Sequence, residues 1–136
     1  MKKTMNMRLA LTVIALGALT VAACSTAVAG TIETVSPQKA AETLAVNPEA
    51  ILLDIRTPEE FASERIPGAV NVDFYAPDFK DQLADLDPDA SYVVYCRSGN
   101  RSAQAMPMFD QLGFSDLLDV DGGIVAWYES GLPIEG

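Results

Sequence analysis

The sequence predicts a compact α/β domain with a mainly parallel central sheet flanked by helices. Three observations predict it. Apolar runs of strand length, Ile51 to Ile55 and Tyr92 to Tyr95, lack the alternation of a half-exposed strand and read as strands covered on both faces. The stretches between such runs carry helix start and stop signals. The alternation of the two types continues over about 100 residues, the order that builds a parallel sheet through crossover helices.

The domain is expected over residues 31–136, after a leader and short tether over residues 1–30. Lys2, Lys3 and Arg8 precede an apolar run from Leu9 to Ala23. This is the layout of a signal peptide. At about fifteen residues the run is short for a spanning helix, which needs roughly 20. Two processing readings stay open. Ala27-Val28-Ala29 before Gly30 fits ordinary signal cleavage, whereas Val21-Ala22-Ala23-Cys24 resembles a bacterial lipobox that places lipid on Cys24. Either way the expected location is exported: periplasmic or cell-envelope, with the membrane reached only through a lipid anchor.

Within the domain, Thr31 to Val35 is the first expected strand. Ser36 offers an N-cap and Pro37 stands at the first helical position, so a helix should run to about Val46 and stop at Asn47-Pro48. The strand Ile51 to Ile55 follows. Thr57-Pro58-Glu59-Glu60 opens the next helix, with Thr57 and Glu60 spaced as a capping box. Ile66-Pro67-Gly68 is a turn, Ala69 to Val72 a short strand, and Pro77 to Ala84 a helix. After the loop Asp87-Pro88-Asp89 comes the strand Tyr92 to Tyr95, which ends at Cys96. Arg101 to Leu112 reads as a helix closed by Gly113, with Ala105, Met108, Phe109 and Leu112 on one face. Pro107 falls on the opposite face and should bend this helix rather than break it. Leu117 to Val120 is the last strand. Gly122-Gly123 leads into a helix expected to turn Ile124, Trp127 and Tyr128 inward.

Charge narrows the partners. The whole chain has nine Lys and Arg against nineteen Asp and Glu. Without the leader, six basic residues face the same nineteen acidic ones, a net charge near −13. That argues against nucleic acid as a partner and equally against attraction to anionic lipid. Two of the six, Arg97 and Arg101, sit in one short loop. A local positive site in an acidic protein suits a small anionic ligand.

The chemistry-bearing segment is Tyr95-Cys96-Arg97-Ser98-Gly99-Asn100-Arg101-Ser102. Parallel sheets bind ligands beyond the carboxyl ends of their strands. Here a cysteine stands at such an end, followed by a glycine-containing turn and a helix start. Successive backbone N–H groups in such a turn can converge into an anion-binding nest, and the helix start adds its positive dipole end. Both favour negative charge on the sulfur, and the thiolate is the nucleophilic form. The chain contains no histidine, which excludes cysteine–histidine protease chemistry and a zinc site of the usual Cys/His type. No metal and no cofactor are expected. A second strand end carries Asp54 and Arg56, read as a pair that supports the loop.

The Cys96–Arg101 loop resembles the active-site loop of the rhodanese sulfurtransferases. Leu53 to Phe61 with Ile66 to Asn71 resembles the family's first signature, and Gly122-Gly123, Trp127 and Gly131-Leu132-Pro133 its closing one. Two departures are Arg65, where the family often has histidine, and Pro107 inside the helix. The resemblance implies a rhodanese-like domain and a two-step transfer. Cys96 takes sulfur from a small anionic donor such as thiosulfate and carries it as a persulfide to a thiol or cyanide acceptor. It also implies that Arg97, Ser98, Gly99, Asn100 and Arg101 form the substrate-binding loop, with Arg97 at its mouth and Arg101 bracing it. Two other classes stay open: a phosphatase or arsenate reductase, and a non-catalytic module or a sulfur carrier that works only with a partner enzyme. The spacing Cys-x4-Arg, against five intervening residues in phosphatases of this logic, favours sulfur.

Overall fold

The computed structural model of the protein describes residues 31–136; the leader, both cleavage sites and Cys24 lie outside the described residues. Five strands and five helices alternate: β1 (Ile32–Val35), α1 (Pro37–Val46), β2 (Ile51–Asp54), α2 (Pro58–Ser63), β3 (Val70–Asn71), α3 (Phe79–Ala84), β4 (Ser91–Tyr95), α4 (Asn100–Gln111), β5 (Asp116–Val120) and α5 (Gly123–Glu129). The strands form one sheet in the order β1-β5-β4-β2-β3, and every neighbouring pair is parallel.

The sheet is covered on both faces, which is why its central strands read as unbroken apolar runs. Leu53, Val94 and Leu117 face one core, closed by Phe79 and Leu83 of α3 and Ala105 and Phe109 of α4. Their neighbours Leu52, Val93 and Leu118 face the other, closed by Ala40 of α1 and Ile124 and Trp127 of α5. Full burial of each such aliphatic or aromatic side chain contributes about 1.5–3 kcal/mol.

Local signals fix the helix starts. The Ser36 hydroxyl accepts from the Lys39 N–H, with Pro37 at the first helical position. Thr57 and Glu60 form the reciprocal capping box at the start of α2. α4 begins at Asn100, one residue before the expected start, because Gly99 takes the left-handed conformation (φ +94°) and releases the chain into the helix. The helix continues through Pro107, which is exposed.

Some expectations need correction. Tyr128 does not face the core: it is 65% exposed, since only Ile124 and Trp127 of α5 align with the sheet. Met108 and Leu112 are only half-buried, at the margin of the α4 core face. α3 starts at Phe79 rather than Pro77.

Candidate active site

Cys96 and Gly122-Gly123 stand just beyond the carboxyl ends of the central strands β4 and β5, and Asp54 is the last residue of β2. The parallel sheet therefore gathers them at one edge. Cys96 is almost fully buried, and its sulfur faces the first turn of α4. The Gly99 N–H donates to Cys96 Sγ at 3.1 Å. No side chain caps the start of α4. The N–H groups of its first turn, which have no partners within a helix, thus meet no competing side chain at the cap. Among the described residues, Gly99 alone of the loop hydrogen-bonds the sulfur through its backbone. The Asn100 amide turns away to accept from Gln104 at 2.6 Å, and Ser98 is exposed.

The loop is held from below by glycine. Gly123 (φ +61°) lies so close that a Cβ there would come within 2.5 Å of the carbonyl oxygens of Cys96 and Arg97. The contact is more than steric. The Ile124 N–H donates to the Cys96 carbonyl at 2.9 Å and the Val125 N–H to that of Arg97 at 3.2 Å. The start of α5 thereby satisfies the Cys96 and Arg97 carbonyls, while the Gly99 N–H is left to the sulfur. The sequence marks Gly122-Gly123 as a turn; its role as a platform shows only in the fold.

The two loop arginines do different things. Arg101 grips Glu60 through two bonds, 2.7 and 2.8 Å, and lies over the Tyr75 ring. The Arg101 hydrogen bonds hold the Glu60 carboxyl well below its usual range, at about 2, with help from the Thr57 N–H. Since Glu60 also closes the α2 capping box, one carboxylate ties α2 to α4. Arg97 is exposed and, among the described residues, forms no ion pair. It lines an open cavity of about 430 Å³ together with Glu60, Glu64, Ile124, Val125 and Tyr128.

Asp54 and Arg56 form a buried pair behind the loop. Arg56 reaches both Asp54 oxygens, the shortest contact 2.7 Å, and also donates to the Glu64 carbonyl. Its guanidinium lies over the Tyr95 ring, 5.5 Å from the centroid. Asn71 clamps the carbonyls of Asp54 and Arg56 at 3.0 and 2.9 Å. Burial pushes the Tyr95 hydroxyl far above its usual range, and that hydroxyl accepts from the Ile66 N–H. Among the described residues, the hydrogen bonds of the sulfur are with Ser102 and Gly99, not with Asp54 or Arg56.

Two residues were missed by sequence reasoning. The Ser102 hydroxyl lies 3.7 Å from Cys96 Sγ and is fully buried. Asp119 of β5 is also buried, and its Oδ1 has no hydrogen-bond partner. In the sequence Ser102 was one more residue of the loop segment, and Asp119 sat inside an apolar strand with no pattern to mark it.

A buried cysteine at a parallel-strand end, a glycine-shaped turn and an arginine-braced helix start define an anion-cradling cysteine site on an α/β fold. Residues 36–130 match the family model described as the rhodanese-like domain, and the chain belongs to that family. It is 35% identical over 103 residues to a sulfurtransferase of Allochromatium vinosum, covering 76% of this chain and 94% of that one. It is 41% identical over 78 residues to the thiosulfate sulfurtransferase GlpE of Pseudomonas aeruginosa, covering 57% and 69%. A rhodanese-related protein of Thermoplasma volcanium has the same fold, with a TM-score of 0.67 and 30% identity over 76% of this chain and 97% of its own.

Proposed function

We propose that the protein is a sulfurtransferase that moves sulfane sulfur from a small anionic donor, thiosulfate above all, through a Cys96 persulfide to a thiol or cyanide acceptor. The observation that carries this reading is the Gly99 N–H on Cys96 Sγ at the uncapped start of α4. In the first step the Cys96 thiolate attacks the outer sulfur of thiosulfate. A new S–S bond forms, the old one breaks, and its electron pair leaves on sulfite. In the second step the acceptor attacks the terminal sulfur, and the Cys96 thiolate leaves. This is covalent catalysis with ping-pong kinetics. The terminal persulfide sulfur carries the negative charge. The N–H groups of Gly99 and of the first turn of α4 are its natural donors, at the short range where such stabilisation is effective. Arg97, which forms no ion pair among the described residues, draws the donor anion to the mouth; Arg101 keeps the loop in shape through Glu60.

A phosphatase needs a ring of N–H donors wide enough for a tetrahedral anion, and the four residues between Cys96 and Arg101 make a narrow one. Thiosulfate:cyanide transfer should therefore be well above background, with negligible hydrolysis of p-nitrophenyl phosphate. Robust hydrolysis that is lost in Cys96→Ser would overturn the assignment. We also propose that the chain works outside the cytoplasm, on the strength of its leader. Palmitate labelling that disappears in Cys24→Ala would identify a lipoprotein, and a mature chain starting at Gly30 would identify ordinary cleavage.

A further inference from the structure

The second step of the proposed transfer needs an acceptor, and the open cavity beside the loop carries more than a simple anion requires. Its volume, about 430 Å³, is that of a pocket for a small molecule. Arg97, the residue after Cys96, lines it, and so does α5, whose N–H groups hold the loop. α5 packs Ile124 and Trp127 into the core but turns Val125 and Tyr128 outward, 43% and 65% exposed, as an apolar wall of this cavity. The charges around that wall do not balance. Arg56 and Glu60 line the cavity but are committed to Asp54 and Arg101. Glu64 and Glu129 line it too, and among the described residues neither carboxylate forms an ion pair. Arg56 donates to the Glu64 carbonyl, which anchors that residue at the cavity and leaves its side chain free. Glu129 is the last residue of α5, where a helix favours positive charge, and α5 has no basic residue in its last turn.

We propose that this cavity is the acceptor subsite, and that Glu64 and Glu129 select a small aminothiol by holding its ammonium group while its aliphatic stem lies on Val125 and Tyr128. This rests on the sulfur-transfer reading above. Arg97 then serves the anionic donor and the two carboxylates serve the cationic acceptor. The two half-reactions share one mouth and use opposite charges. In the second step the acceptor thiolate, its proton already given to solvent, attacks the terminal sulfur of the Cys96 persulfide. A bond forms between the acceptor sulfur and that terminal sulfur, the bond to Cys96 Sγ breaks, and its electron pair stays on Cys96. The aminothiol leaves as a persulfide, and no further reactant is needed. Glu64 and Glu129 touch no reacting atom and act by choosing what enters. A thiol that carries only a carboxylate meets them as like charges, and an uncharged thiol gains nothing from them.

The test is the discharge of persulfide-loaded protein by cysteamine, β-mercaptoethanol and β-mercaptopropionate, followed as loss of the bound sulfur by intact mass. The unmodified protein is compared with a double variant, Glu64→Gln with Glu129→Gln, which keeps both shapes and removes both charges. Each thiol is compared with itself across the two proteins, so its intrinsic reactivity cancels. Exposed charge pairs contribute modestly, so the double variant should lose about tenfold in second-order rate with cysteamine and change less than about twofold with β-mercaptoethanol. With β-mercaptopropionate its rate should rise. Added salt should shrink the cysteamine difference, since exposed charges are screened. Loading by thiosulfate, measured separately, should rise rather than fall, because negative charge has been removed from the mouth that an anion enters. Equal losses with all three thiols would mean a disturbed loop and would overturn the proposal, as would an unchanged rate with cysteamine. A short uncharged peptide with one central cysteine that discharges the unmodified protein faster per thiolate than cysteamine does would give the cavity to a protein acceptor and overturn it too. If the unmodified protein takes up no sulfur from thiosulfate, it is the sulfur-transfer reading that fails.

Discussion

The carboxyl ends of β2 and β4 lie side by side and are built in opposite ways. At the end of β2, every strong polar group is spoken for. Asp54 holds Arg56, Arg56 holds the Glu64 carbonyl, and Asn71 holds the carbonyls of both. At the end of β4, the carbonyls of Cys96 and Arg97 are satisfied by α5, the Gly99 N–H turns to the sulfur, and no side chain caps the start of α4. The first region pairs its polar groups with one another, and the second turns a backbone N–H toward the sulfur. The difference teaches how a small domain keeps a reactive cysteine. The strain-free, saturated neighbour supplies the rigidity that the unsaturated loop cannot supply for itself.

Breaking the saturated side should be the most damaging change to the fold. Asp54→Ala leaves the Arg56 guanidinium buried without its partner, and removing one member of a buried pair costs about 3–5 kcal/mol. Urea unfolding should show that loss. A change below about 1 kcal/mol would mean that Arg56 finds solvent and that the pair is not a brace.

Disturbing the platform should leave the fold largely intact and damage the site. Gly123→Ala forces a Cβ against the backbone of Cys96 and Arg97 at a left-handed φ. The loop must shift by a substantial fraction of an ångström, and misplacement of about 1 Å can lower a rate about a hundredfold. Thiosulfate:cyanide turnover should fall by that order while the unfolding transition stays cooperative. Unchanged turnover would show that the loop does not depend on its seat.

The two arginines sharpen the contrast within the loop. Arg97→Ala should raise the KM for thiosulfate about tenfold and leave kcat near its original value, the signature of lost uniform binding. Equal losses in kcat and kcat/KM would place Arg97 in the transition state instead. Arg101 and Glu60 act through the scaffold, and their contribution is pH-dependent. Glu60 is held at about 2 against an ordinary value near 4.5. Its folded-state value is depressed, so its stabilisation is fully present above about pH 4.5 and fades as pH falls toward 2. Glu60→Gln should be less stable than the unmodified protein at pH 7, and the gap should close over that window. A gap that persists at pH 2 would mean that the ion pair is not its source.

Most of the fold was legible because its signals are local. Ser36-Pro37 and the Thr57–Glu60 box announce their helices, and unbroken apolar runs announce strands covered on both sides. Cys96 and its loop were legible because a strand end, a glycine and an arginine fall within six residues. What stayed hidden depends on pairing across the sheet. Gly123 meets the Cys96 loop only because β5 lies next to β4. Tyr128 was misplaced because helical spacing alone does not reveal where a one-sided contact ends: α5 touches the sheet through Ile124 and Trp127 and lets the next position go.

The most direct measurement of the central claim is the intact mass of the domain after incubation with thiosulfate and removal of excess reagent. Cys96 is the single cysteine among the described residues, so sulfur can be added at one thiol. The account predicts a gain of about 32 Da, one sulfur atom, that is lost on addition of cyanide and never forms in Cys96→Ser. No gain in the unmodified protein, or turnover that survives in Cys96→Ser, would contradict it.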